Sequence, residues 1–223
     1  MSRTSETLLA IYQAMLDRFG HQAWWPGQTP LEICVGAILT QNTSWTNVVK
    51  AIANLKAAGR LDIEALHSLS QEQLAELIRP AGYFNIKSRR LKNFVGMVHQ
   101  RFAGRLENLL ALPAERLRET LLEVSGIGRE TADSMVLYAA GKPSFVVDAY
   151  TFRVLLRHGL IGPDDDYESV RELMQSHLPQ DVALWNDYHA QLVAVGKNYC
   201  KPTPRCAGCP LEGFPHDVMA GCE

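Results

Sequence analysis

Three stretches of this 223-residue sequence hold residue types at spacings that do chemistry. The first is a late cysteine group, Cys200, Cys206 and Cys209, with Cys222 further on. A Cys-x2-Cys pair with a third cysteine just upstream is a metal-ligand spacing, because such thiolates can converge on one centre. The second is Val124-Ser125-Gly126-Ile127-Gly128-Arg129-Glu130-Thr131-Ala132. Two glycines at a spacing of two allow positive φ and a close backbone approach to another surface. The helix that follows would offer free N–H groups at its N-terminus, which suit a phosphate and grip a nucleic-acid backbone without reading bases. On spacing alone the stretch is equally an αα turn with a glycine cap. The third is Asp148, after the apolar run Ser144-Phe145-Val146-Val147 and before a helix. By local pattern that aspartate is a helix N-cap.

The elements that must position these residues read as helices throughout. Apolar residues recur at three- and four-residue intervals over 8–19, 31–39, 48–55, 91–102 and 117–124. Ser70-Gln71-Glu72-Gln73 is a capping-box sequence that starts a helix leading to Ile78, and Pro80 stops it. A second hairpin helix runs from about Arg129 to Ala140, closed by Gly141 and Pro143. Only 144–147 is β-like, and so short a run reads as an extended approach to a helix. Cys34, on an apolar helix, reads as core. The N-terminal stretch is amphipathic, with neither a signal-peptide nor a transmembrane pattern, so a cytoplasmic protein without membrane contact is expected.

Hydrophobic residues make up 47% of the chain, ample for a packed core, and the formal charge is −2. That balance weighs slightly against a nucleic-acid partner. Charge distribution matters more than the total. Between Lys87 and Arg105 lie six basic residues (Lys87, Arg89, Arg90, Lys92, Arg101, Arg105) and no acid, while acid gathers at Asp164-Asp165-Asp166. Such a run is either a basic face for DNA or a solvated helix face.

Taken together, L-x-x-V-S-G-I-G-R-x-T-A from Leu121 and G-K-P-S-F-V-V-D-A-Y-T-F-R-V from Gly141 resemble the hairpin, Gly/Pro-rich loop and aspartate signature of the helix-hairpin-helix DNA glycosylases, the endonuclease III-like superfamily. The likeness runs from about Leu31 to Cys209 and includes Gly36-Ala37-Ile38-Leu39-Thr40-Gln41-Asn42-Thr43, similar to the family's segment on the first barrel helix. It implies an all-α fold in two lobes with a cleft between them. One lobe is a helical barrel over 29–134 ending in the hairpin; the other combines 1–28 and 135–223 and carries the aspartate and the cysteines. It implies a monomer acting on double-stranded DNA that contains a damaged base, nucleoid-associated in a bacterium. Asp148 is then the catalytic carboxylate, stabilising an oxocarbenium-like sugar and orienting water. Gln41 is the candidate wedge in the gap left by a flipped nucleotide. Asn42, Lys87, Gly126, Gly128, Arg129 and Thr131 are the other candidate DNA contacts.

Bifunctional members carry a lysine two residues after the second hairpin glycine. Glu130 stands there, and Lys142 falls in the loop beyond the helix. A carboxylate cannot form the imine, so the resemblance implies base removal without strand cleavage; Glu130 itself reads equally as a helix-surface residue. The adenine-from-mismatch branch uses a glutamate where Gly36 stands, and normally carries a further C-terminal domain for which this chain has no room. A base methylated at a ring nitrogen is already cationic and leaves without acid help, and aromatic faces attract it. Trp24-Trp25-Pro26 and Trp45 resemble the pocket residues of the 3-methyladenine branch. Packing alone would also account for these tryptophans, which bury large areas. Excision of oxidised or mismatched pyrimidines, or lesion binding without turnover, are the alternatives.

The same family commonly ends in a four-cysteine loop around a [4Fe–4S] cluster, and Cys200, Cys206 and Cys209 match it. The first gap is one residue shorter than usual, and twelve residues separate Cys209 from Cys222 in place of five. Cys222 is the fourth ligand by default, and zinc is the alternative metal.

Overall fold

The computed structural model describes residues 2–220 apart from Ala23 and Pro26. Pro26 and Cys222, both singled out above, lie outside the described residues. The described chain is helical and contains no strand. Its α-helices are α1 (Arg3–Phe19), α2 (Pro30–Leu39), α3 (Trp45–Ala57), α4 (Ile63–Ser68), α5 (Gln71–Leu77), α6 (Phe84–Arg101), α7 (Leu106–Leu110), α8 (Ala114–Leu122), α9 (Arg129–Ser134), α10 (Ala149–Arg157), α11 (Tyr167–His177) and α12 (Val182–Asn198). A 3₁₀ turn, Arg79–Ala81, precedes α6. No described helix is long and apolar enough to cross a membrane.

The helix starts follow local chemistry. Ser70 and Gln73 form the reciprocal capping box at α5, and Thr29 and Asp62 cap α2 and α4 through their side chains. Each satisfies an N–H that the helix leaves without an internal partner. The second hairpin helix departs from a plain α reading. After Ser134 it widens to a π-helix over Met135–Ala139, with Ala140 N–H donating to Met135 C=O at 3.0 Å. Such a widening shifts every later side chain around the axis, and periodicity does not foretell it.

The chain divides into two compact units, 25–142 and 1–24 with 143–223. The first extends past the boundary at 134, because Met135, Val136 and Leu137 of the π segment are buried and pack on α2. Its core includes Val35 and Ile38 of α2, Val48 and Leu55 of α3, Phe94 and Val98 of α6, and Leu117 and Leu121 of α8. Arg118 of α8 and the fully buried Asp133 of α9 form a forked ion pair, at 2.8 and 3.2 Å, that braces the two hairpin helices.

Basic side chains turn inward to close helix ends here. Lys92 Nζ donates to the carbonyls of Leu66 (3.3 Å), His67 (2.6 Å) and Leu69 (2.7 Å) at the end of α4. Lys142 Nζ donates to Leu110 C=O at 2.6 Å and to Leu112 C=O past α7. Lys87 Nζ donates to Leu39 C=O at 2.9 Å and Ala81 C=O at 2.7 Å. The last carbonyls of a helix lack internal donors and carry its negative dipole end, so a cation there is favourable.

In the other unit α1, α10, α11 and α12 pack together. Asp187 of α12 collects donors from Tyr12 Oη (2.9 Å), Gln22 N (2.8 Å) and Gln191 Nε2 (3.2 Å), with His21 Nδ1 at 3.2 Å. Tyr188 Oη donates to Leu8 C=O at 2.9 Å. α10 and α12 approach so closely that a Cβ on Gly196 would sit 2.3 Å from the Tyr150 ring.

Candidate active site

Asp148 caps α10. Its Oδ1 accepts from Thr151 N at 2.7 Å, so the N-cap reading describes its local role. The cap holds the carboxylate at the helix's positive end, where a negative charge is stabilised. On its other side His189 of α12 brings Nε2 to 3.6 Å from Oδ2, with the two side chains 5% and 13% exposed. Burial acts to raise the Asp148 pKa, but His189 and the Thr151 hydrogen bonds outweigh it and hold the group below the ordinary carboxylate range. A charged carboxylate is thus kept in a largely dry place.

The hairpin lies in the barrel unit. Gly126 takes φ +97, and a Cβ there would meet Arg90 Cγ at 2.3 Å, so glycine is required twice over. Gly128 has open space where a Cβ would point, and Gly128, Arg129 and Glu130 are exposed. Gln41 joins the hairpin directly. Its Nε2 donates to Gly126 C=O at 3.3 Å and Thr131 Oγ1 at 2.9 Å, and its Oε1 accepts from Arg90 Nη1. Asn42 beside it is exposed in a left-handed conformation, φ 53.

Two of the candidate DNA contacts have side chains turned into the protein. Lys87 is 1% exposed and spends its ammonium on two carbonyls, so it supports the loops after α2 and before α6 and does not reach a phosphate. Burial pushes its pKa down to about 8, with the Arg90 charge adding to the effect. Thr131 is 6% exposed and accepts from Gln41, so it is a brace within the protein. Hydrophobic spacing along α6 separates inward from outward basic residues, whereas the run of charges by itself does not.

Of the tryptophans, Trp25 and Trp45 come together. Their rings meet edge to face with centroids 5.0 Å apart, and Tyr138 of the π segment lies 5.1 Å from Trp25 at 33°. A Cβ on Gly36 would come within 3.2 Å of the Trp45 ring and 3.5 Å of Trp25 Nε1. The bare position on α2 is what gives these rings their room. Trp24 belongs elsewhere, with Lys197 Nζ 5.7 Å from its ring centroid. Tyr138 and His189 are absent from the sequence reading. The first depends on the π widening and the second on how α10 meets α12. Tyr83, also unmarked, is 68% exposed with φ 46 at the start of α6.

Cys200, Cys206 and Cys209 line one cavity with Tyr199, Leu211 and His216. Burial, and the neighbouring Cys206 and Cys200, push the Cys209 thiol up. Arg157 organises the loop: it donates to Cys200 Sγ (3.3 Å), Lys201 C=O (2.6 Å), Pro202 C=O (2.9 Å) and Ala220 C=O (3.2 Å). Among the described residues no three of His, Cys, Asp and Glu are grouped to hold one ion. A single zinc at about 2.3 Å from each sulfur would need thiolates roughly 3.8 Å apart. Three thiols lining one cavity supply the donor type that zinc and iron–sulfur groups both take.

A glycine turn between two helices braced by an ion pair, followed along the chain by a capped and largely buried aspartate, is the arrangement of a helix-hairpin-helix protein. Residues 35–180 match the HhH-GPD superfamily of base excision DNA repair proteins, and the chain belongs to that superfamily as a DNA glycosylase. A candidate DNA repair glycosylase of Methanocaldococcus jannaschii is 42% identical over 94% of this chain and 96% of its own length. Endonuclease III of Thermotoga maritima is 28% identical over 82% of this chain and 81% of its own. Among solved structures, the H. pylori 3-methyladenine DNA glycosylase bound to 1,N6-ethenoadenine superposes with a TM-score of 0.74 at 28% identity, covering 87% of this chain and 97% of that one.

Proposed function

We propose that this glycosylase removes N-alkylated purines of the 3-methyladenine kind and leaves the abasic strand intact. The observation that carries the substrate class is the aromatic group Trp25, Trp45 and Tyr138 beside bare Gly36. Electron-rich faces attract a cationic base, and no acid stands at the Gly36 position because a base already charged needs none. The likeness to the H. pylori enzyme supports the same class.

In this reading the exposed hairpin residues Gly128 and Arg129 hold the strand backbone, and the loop with Gln41 and Asn42 fills the gap of the flipped nucleotide. The glycosidic C–N bond breaks with its electron pair going to the cationic base, which leaves neutral. Asp148 stabilises the positive charge that develops on the sugar. Water then bonds to the anomeric carbon and gives up its proton to solvent. Glu130, exposed at the position of the lyase lysine, offers no amine to the sugar, and Lys142 is held by the carbonyls past α7. Cys200, Cys206 and Cys209, with Cys222 as fourth, would hold a [4Fe–4S] cluster, which would supply redox-active iron and cross-link the C-terminal loop. A visible absorption band of purified protein separates iron–sulfur from zinc.

The test of function is a duplex carrying 3-methyladenine. Free base is expected, with nicking only after alkali and no adduct trapped by borohydride. Release of only oxidised or mismatched pyrimidines from a lesion panel overturns the substrate class, and a trapped adduct overturns the monofunctional reading.

A further inference from the structure

We propose that His189 is a positioning residue whose imidazolium holds the Asp148 carboxylate charged and fixed in its buried seat. The inference rests on Asp148 as the reacting carboxylate and adds to it the group that keeps it fit for that role.

A carboxylate stripped of water reverts to its neutral acid unless a cation or several donors oppose the change. Asp148 is 13% exposed, and its one backbone donor in the cap, Thr151 N, occupies Oδ1. Oδ2 faces His189 Nε2 at 3.6 Å, and that histidine is 5% exposed in the middle of α12. A histidine so deep in an apolar helix is costly unless charge or hydrogen bonding compensates it, and the carboxylate does so.

The other charged groups of the surrounding elements are engaged elsewhere. On α10 itself, Arg153 donates to Cys200 C=O at 2.7 Å and stacks on Tyr150. On α12, Asp187 is taken up by Tyr12, Gln22 and Gln191. The 143–147 approach is apolar from Phe145 on, and the nearby Tyr167 hydroxyl accepts from Val147 N at 3.5 Å. Arg171 of α11 points to Ser144 Oγ at 3.3 Å. His189 Nε2 is therefore the group that faces Asp148 Oδ2. It touches neither base nor sugar in this scheme and acts through the carboxylate.

The experiment reads the ionisation of Asp148 itself, without substrate. The full chain carrying ¹³C-labelled aspartate is titrated by NMR, with Asp148→Asn used to assign the carboxyl signal. In wild type that signal stays in the ionised position to below the ordinary carboxylate range. In His189→Gln its midpoint moves up by at least one pH unit, and in His189→Lys, which keeps a cation, it returns toward wild type. An acid limb of single-turnover base release, measured alongside, moves up in the same variant while the rate well above it is recovered. A merely structural role lowers the rate equally at every pH and leaves the midpoint in place. An unmoved midpoint in His189→Gln overturns the proposal; should that variant not fold, a His189→Lys midpoint raised like that of a neutral substitution does so. Absence of base release in wild type counts against the proposed function, and the carboxyl titration remains readable.

Discussion

Asp148 shows how one side chain can serve the backbone as a helix cap and, in the proposed function, the reaction as well. Its N-cap bond aims it and His189 Nε2 stands 3.6 Å from its other oxygen, so Asp148→Asn retains the cap and loses the charge. Base release from that variant is expected to fall by about 100-fold or more, the scale of removing one preorganised charge partner, while binding of lesion duplex measured by anisotropy is retained. Because the folded Asp148 stays ionised below the ordinary range, the wild-type rate should hold level as pH falls to that range and drop only beneath it. A rate that halves well above the ordinary carboxylate range would contradict the assignment. Gly36 is the complementary case. A methyl at 3.2 Å from Trp45 forces the ring to move. Gly36→Ala should raise KM for the alkylated duplex more than it lowers kcat; an unchanged KM would separate the aromatic group from substrate.

Elements are held in place here by inward cations and by one close helix contact. Lys87→Met strips two buried carbonyls, Leu39 and Ala81, of their donor. A loss of about 2–4 kcal/mol in urea unfolding is expected, the sum of two orphaned acceptors, with any fall in DNA affinity tracking the folded fraction. A variant of wild-type stability but weak DNA binding would restore Lys87 as a phosphate contact. At the contact of α10 with α12, Gly196→Ala places a methyl 2.3 Å from the Tyr150 ring. The helices must part, at a cost of about 1–3 kcal/mol, and His189 moves away from Asp148 with them. Heat denaturation and the single-turnover rate should therefore both decline, the rate more than unfolding explains.

At the scale of the molecule, one unit is assembled from both ends of the chain, and Asp187 is the polar knot that joins them. Its pKa is pushed up by burial, but hydrogen bonds from Gln22, Gln191, Tyr12 and His21 prevail and hold it below the ordinary value. The folded form thus binds its proton less readily than the unfolded chain. The stabilisation is present above the unfolded carboxylate pKa and is lost as pH falls through the folded one. Asp187→Asn should lower Tm clearly at pH 7 and less at pH 3, where wild type has begun to lose the same contribution. An equal loss at both values would show that the charge of Asp187 does not matter.

Much of this was legible in one dimension. Helical periodicity, the Ser70 capping box, the Gly126 and Gly128 hairpin and the N-cap at Asp148 are properties of neighbouring residues, and short-range sterics and hydrogen bonding decide them. The family match came from the order of such motifs along the chain. Three things needed the folded molecule. Lys87 sits in a basic run, yet its ammonium lies under two helix ends; burial, which no count of charges contains, decided that. Tyr138 faces Trp25 through a π widening that leaves no mark in residue spacing. His189 is forty-one residues from Asp148 along the chain and 3.6 Å from it in space, a meeting produced by the close packing of α10 on α12 at Gly196. Local free energies choose the helices, whereas side chains far apart in sequence find each other only when those helices bury a common surface.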